Sequence, residues 1–353
     1  ESPEDSEPTT SEASEATSET VSETVSETSD ETSGGGGDVK TWPYVTGTFI
    51  QLPAFTSYTE VMWKKHFNYL LDVGIDTVIL QWCATTPYGK FSDAFYPASP
   101  EASDQSDSYK EYKAVIPRIL KVAQEMGVKV FMGLNIADEW WSVAATNPSW
   151  YKNQAAVGMK IAAQLYELYK DDYPDAFYGW YFPWEYYNGI GYTEQAADFL
   201  NRYLDGLDAI DPDMPMMLSP FIRTSVSVEK TKTEWSEIIS KTHFRAGDIF
   251  CCQDAVGAGW MTIEKLPEYF AAVKEACSKA DGLLFWANNE DFTQATWTPA
   301  PLERFVEQME LSSEYVSGYV TFAYSHYYAP DKSSDKTLHE RYKEYYLTGV
   351  IPD

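Results

Sequence analysis

An eightfold alternation constrains this chain more than any other feature. From Trp42 onward, short runs rich in β-branched and aromatic residues alternate with longer segments of helical period. The strand-like runs are VTGTFIQ (45–51), DTVILQW (76–82), KVFMGLN (129–135), FYGWYFPWE (177–185), PMMLSPF (215–221), DIFCCQD (248–254), GLLFWANNE (282–290) and GYVTFAYSH (318–326). Between them lie segments such as TEVMWKKHFNYLLDVG, where Val61, Met62, Phe67, Leu70 and Leu71 mark an apolar side and Gly74 a C-terminal stop. Residues 226–243 and the segment LHERYKEYYL supply two further helix candidates. Eight strand-then-helix units fit an α/β fold of the (β/α)8 TIM-barrel type. A doubly wound sheet seldom needs eight such repeats, and no Gly-rich phosphate fingerprint follows the first strand.

Residues 1–38 are of another kind. They contain no aromatic residue, no Leu and no Ile, and they run through SETVSETVSETSDETS into Gly34–Gly37. Such a segment buries too little apolar surface to offset its chain entropy, which predicts a disordered Ser/Thr/Glu-rich linker preceding one barrel domain over 39–353. Its composition suits the tether that follows a cleaved export or lipoprotein signal, so the expectation is a protein that is secreted or attached to the cell surface through this segment, and a monomer. The linker holds twelve Asp or Glu and no Lys or Arg; removing those twelve from the net charge of −28 leaves −16 on the rest. With no basic face, a nucleic-acid partner is not expected. No apolar run approaches the ~20 residues that cross a bilayer. The four cysteines lack metal-ligand spacing and read as buried free thiols, with a disulfide as the alternative, the four histidines make no HxH or HExxH pattern, and no GxSxG elbow is present, so neither a metal nor a cofactor is expected.

In a (β/α)8 barrel the chemistry gathers at the C-terminal ends of the strands. Here those ends carry Gln51; Gln81 and Trp82; Asn135; Trp184 and Glu185; Gln253 and Asp254; Asn288, Asn289 and Glu290; Tyr324 and His326. Amides and carboxylates hydrogen-bond sugar hydroxyls, and aromatic faces cover the C–H side of a sugar ring. The pattern therefore predicts an oligosaccharide or polysaccharide substrate, with Trp260 and Trp286 as further stacking candidates. Cleavage of a glycosidic bond needs two carboxyl groups, one protonated to assist departure and one ionised to attack or to activate water. Glu185 and Glu290 each end an aromatic strand, where partial desolvation raises a carboxyl pKa as a general acid requires. Asp254 reads as substrate-binding, with catalysis as its alternative role.

Strands four and seven ending in Glu resemble the large clan of retaining barrel glycoside hydrolases. That resemblance implies Glu185 as acid/base and Glu290 as nucleophile, although Trp184 stands where the clan places Asn. A closer likeness, carried by GTFIQ, VILQW, GWYFPWE, QDAVG and FWANNEDF and extending from about Val45 to Tyr346, is to bacterial secreted or surface-tethered barrel proteins grouped as a domain of unknown function related to glycosyl hydrolases. The expectation is thus a retaining glycoside hydrolase; the alternative is a non-catalytic, surface-displayed carbohydrate-binding barrel.

Overall fold

The computed structural model describes residues 40–142 and 146–352, so the linker expected over 1–38 lies outside the described residues. Eight parallel strands close into a barrel: β1 (Gly47–Ile50), β2 (Thr77–Leu80), β3 (Lys129–Gly133), β4 (Phe177–Phe182), β5 (Met216–Leu218), β6 (Ile249–Gln253), β7 (Leu284–Glu290) and β8 (Tyr319–Phe322). Each pairs with its sequence neighbours, and β1 pairs with β8 to seal the ring. Every strand candidate read from the sequence contains one of these strands. Among the described residues eight helices of 11 to 22 residues follow in turn: α1 (Glu60–Leu71), α2 (Val115–Met126), α3 (Pro148–Tyr169), α4 (Thr193–Ile210), α5 (Val228–Lys241), α6 (Leu266–Cys277), α7 (Leu302–Ser312) and α8 (Leu338–Thr348), with a single extra turn at Tyr324–Tyr327.

The period-two pleat of each strand sorts its side chains into two cores. Phe49, Ile79, Phe131, Tyr181, Met217, Cys251 and Val320 point inward, one from each of seven strands, and pack with Trp286 of β7 to fill the lumen. Their neighbours, such as Leu80, Met132, Phe182, Phe250 and Ala287, point outward into a continuous layer beneath the helices. In α1 the buried stripe is Trp63, His66, Phe67 and Leu70, spaced i, i+3, i+4, i+7, whereas Val61 and Met62 face solvent. The apolar side expected there was rotated because Trp63 and His66 were left out of it: His66 is buried because its Nδ1 pairs with Asp331 at 3.0 Å. All four cysteines are buried and free.

Two excursions at the C-terminal ends of the strands shape the mouth. Ala84–Thr85, Phe91–Ala94, Gln105–Glu111 and Asn135–Ile136 make a small four-stranded sheet, and Phe292–Thr293 pairs with Thr298–Pro299 in a hairpin directly after β7.

Candidate active site

Above the apolar lumen the inward positions turn polar. Gln51 continues β1, Gln81 continues β2, Gln253 ends β6, and Asn288 and Glu290 occupy the last two inward positions of β7; all line one cleft of about 550 Å³. Glu185 reaches the same cleft from the segment after β4, where Pro183 has ended the ladder, and its backbone carbonyl is held by the Trp140 indole N–H at 3.0 Å. The structure therefore brings Glu185 and Glu290 to one mouth, together with Gln51, Gln81, Gln253 and Trp260 from the expected binding set.

The two carboxyl groups sit in different surroundings. Glu185 keeps partial contact with the cleft, and burial pushes its pKa up to about 7 against the pull of a hydrogen bond from the Gln253 side chain. Glu290 is almost fully buried, and its Oε2 accepts the Ala258 N–H at 2.6 Å. Burial, then the neighbouring Asp254 carboxyl, raise its pKa above the usual carboxylate range, while that N–H and the Arg304 guanidinium pull it down. The loop after β6 can come this close because Gly257 lacks a Cβ: one placed there would meet Phe292 O at 2.4 Å and Glu290 Cβ at 2.8 Å. Asp254 itself lies behind β7. It accepts Asn289 Nδ2 at 3.0 Å, Gln308 Nε2 at 2.5 Å and the Val256 N–H at 3.1 Å, and the Glu290 N–H at 3.3 Å. Asp254 thus braces the end of β7 and faces no ligand, and burial raises its pKa against those four donors.

Eight residues expected to bind substrate lie elsewhere. Trp82, Asp254 and Asn289 adjoin the inward-facing Gln81, Gln253 and Glu290, so the pleat turns them toward the helices. Trp184 and Asn135 belong to one buried network: the Trp184 indole donates to the Tyr203 hydroxyl at 2.9 Å, Tyr203 donates to Asn135 Oδ1 at 2.8 Å, and Asn135 Nδ2 donates to Thr86 Oγ1 at 3.0 Å. Trp286 does point inward, but four residues before Glu290 it is ~13 Å lower along the strand, among Tyr178, Pro212 and Leu284 at the opposite end of the barrel. Tyr324 is buried with its hydroxyl 2.8 Å from His339 Nδ1. His326 accepts the Gln51 N–H on Nε2 at 3.1 Å, and burial lowers its pKa to about 3, so it is a neutral brace for the rim.

Other residues take their places. Phe49, Tyr181 and Phe322 form the apolar floor, and Asn288 stands beside Glu290 with its Nδ2 donating to Ser219 Oγ at 3.0 Å. Asn288 was already among the strand-end residues, and Phe49 and Tyr181 were reachable from sequence by counting in twos from Gln51 and Glu185. The walls were not: Trp141, Phe221, Gln294, Trp297 and Tyr327 come from loops whose course no periodicity reports.

The chain is thus a closed (β/α)8 barrel whose C-terminal mouth holds two carboxyl groups. Among solved structures, the chain resembles a candidate α-L-fucosidase from Bacteroides thetaiotaomicron at 22% identity, with a TM-score of 0.69 over 88% of this chain and 98% of the other. It also resembles endo-glycoceramidase II from Rhodococcus sp. at 12% identity, with a TM-score of 0.54 over 85% and 78%. At such identities the likeness is one of fold. No curated protein matches the chain. Residues 45–334 match the domain of unknown function DUF4434, and the chain belongs to that family.

Proposed function

We propose that this protein is a retaining glycoside hydrolase in which Glu290 is the nucleophile and Glu185 the general acid/base. The observation that carries the proposal is the meeting of these two carboxyl groups, one from the segment after β4 and one from the end of β7, in one cleft above a sealed apolar lumen. In the first step a Glu290 oxygen forms an ester with the anomeric carbon as the glycosidic C–O bond breaks, and the Glu185 proton passes to the departing oxygen. In the second, Glu185 takes a proton from water, the water oxygen bonds to the anomeric carbon, and the Glu290 carboxylate leaves. A pKa near 7 suits Glu185 to both duties. Asp254, Asn289 and Gln308 hold the strand end that carries the nucleophile.

A non-catalytic binding barrel is the competing reading. It gives no reason for two carboxyl groups with raised pKa values to share a desolvated cleft. Proton NMR of the first-formed product decides the stereochemistry: retention supports the proposal, inversion replaces the nucleophile with a base, and no turnover on any glycan favours the binding barrel. We further propose, on the composition of residues 1–38, that this segment tethers the enzyme outside a bacterial cell.

A further inference from the structure

The cleft has an unusual balance of charge and ring surface. None of its described lining residues is Lys, Arg or His, while Glu185 and Glu290 supply two acids. Arg304, beside Glu290, lies behind β7, where its guanidinium donates to the backbone carbonyls of Glu290 and Phe292, and Arg223 stands over the Tyr187 ring outside the lining. An anionic sugar entering this space would meet carboxylates and no counter-charge, at a desolvation cost that nothing offsets. Two buried side-chain carbonyl oxygens of lining residues, Gln81 Oε1 and Asn288 Oδ1, have no partner among the described residues. Such acceptors call for O–H or N–H donors, which a carboxylate or sulfate cannot provide.

The walls add a direction. Trp141 is 56% exposed, Trp260 51% and Trp297 60%, and all three line the cleft. Trp297 stacks one face on Phe292 at 5.7 Å and 5°, and Phe292 stacks in turn on Tyr327, so the remaining Trp297 face is free. Trp141 leans on Phe221 beside it on the wall. Trp141 follows β3 and Trp297 follows β7, strands four places apart in a ring of eight and hence on opposite sides. Exposed flat apolar surface on two sides of a polar centre fits a ligand with ring faces at both ends.

We infer that the substrate is an uncharged glycan of at least two sugar units, laid across the mouth between Trp141 and Trp297, and that uronate-bearing, sialylated and sulfated glycans are excluded. This rests on the proposed hydrolase reading and extends it to a substrate class.

The test uses the Glu185→Gln protein, which holds chains without cutting them, on a glycan array carrying neutral oligosaccharides beside their uronate and sulfated counterparts, with and without added Trp141→Ala or Trp297→Ala. Both tryptophans are exposed, and circular dichroism confirms that each variant is folded. Neutral oligosaccharides should bind best, and each Trp→Ala change should weaken them about tenfold, the loss of a ring contact of ~1.4 kcal/mol. Charged glycans binding best, single sugars binding as well as chains, unchanged affinity in both Trp variants, or no bound glycan would each overturn the inference. Failure of the hydrolase reading has a different signature, namely glycan hydrolysis that survives both Glu185→Gln and Glu290→Gln.

Discussion

Replacing Glu185 with Gln should stabilise the protein, and only at high pH. The folded pKa of about 7 exceeds the ordinary 4.5, so the folded state holds a proton that the unfolded chain has already released. Below pH 4.5 both states are protonated and Glu185 is neutral in effect. As pH rises from 4.5 to 7 a penalty accumulates at ~1.36 kcal/mol per pH unit, reaching about 3 kcal/mol above pH 7. That is an upper bound, because Glu185 keeps some contact with cleft water. Gln has a similar shape and no charge to desolvate, so Glu185→Gln should match the parent at pH 4.5 and exceed it by up to ~3 kcal/mol at pH 8, which is at most about 5 °C in Tm for a domain of this size. Asp291, whose pKa burial raises to about 8, destabilises in the same sense but equally in both proteins, so it cancels in the difference. Thermal and urea unfolding at pH 4.5, 6 and 8 provide the comparison. Parallel stability profiles for parent and variant would refute the claim that Glu185 is held in a desolvated site, and with it the argument for its role as acid. Gained stability should coincide with lost activity.

Four further outcomes are expected. Hydrolysis should fall above about pH 7, where Glu185 loses its proton, and its acidic limb should lie above the ordinary carboxylate range because burial and Asp254 raise Glu290, so a kcat/KM profile peaking near pH 4 would contradict both assignments. Asp254→Asn removes the carboxyl that raises Glu290, so the acidic limb of that profile should move to lower pH while kcat falls about tenfold or more through lost positioning; an unmoved limb would disconnect the two groups. Asn135→Ala should cost ~2–4 kcal/mol of stability by orphaning partners in its buried network, leaving the KM of the folded protein unchanged. Trp286→Ala, half-buried at the far end of the lumen, should likewise cost ~2–3 kcal/mol in denaturation with no effect on glycan affinity.

The barrel was legible because each strand-and-helix unit is a local pattern, repeated eight times, and because burial on both faces makes parallel strands nearly continuous apolar runs. The site was legible only in part. Strand ends were taken as the place where a site would gather, and Gln51, Gln81, Gln253 and Glu290 reach the cleft from them. Treating every polar or aromatic residue at a strand end alike ignored the pleat. Glu290 and Asn289 cannot both face inward on one regular strand, and the same parity separates Gln253 from Asp254 and Gln81 from Trp82. Depth was ignored too, which placed Trp286 at the wrong end. What remained hidden belongs to tertiary structure: Trp141 and Trp297 owe their positions to loop courses, and His326 and Asn135 to partners far away in sequence.

The central claim is that Glu290 attacks the anomeric carbon. A 2-deoxy-2-fluoro glycoside with a good leaving group, built on the sugar the enzyme cleaves, slows the second step and accumulates the covalent intermediate, and peptide mass mapping then locates the bond. The account predicts one sugar mass added to the peptide containing Glu290, absent in Glu290→Gln and still present in Glu185→Gln. Label on Glu185, Asp254 or Asp291, or retained hydrolysis with no label anywhere, would contradict it.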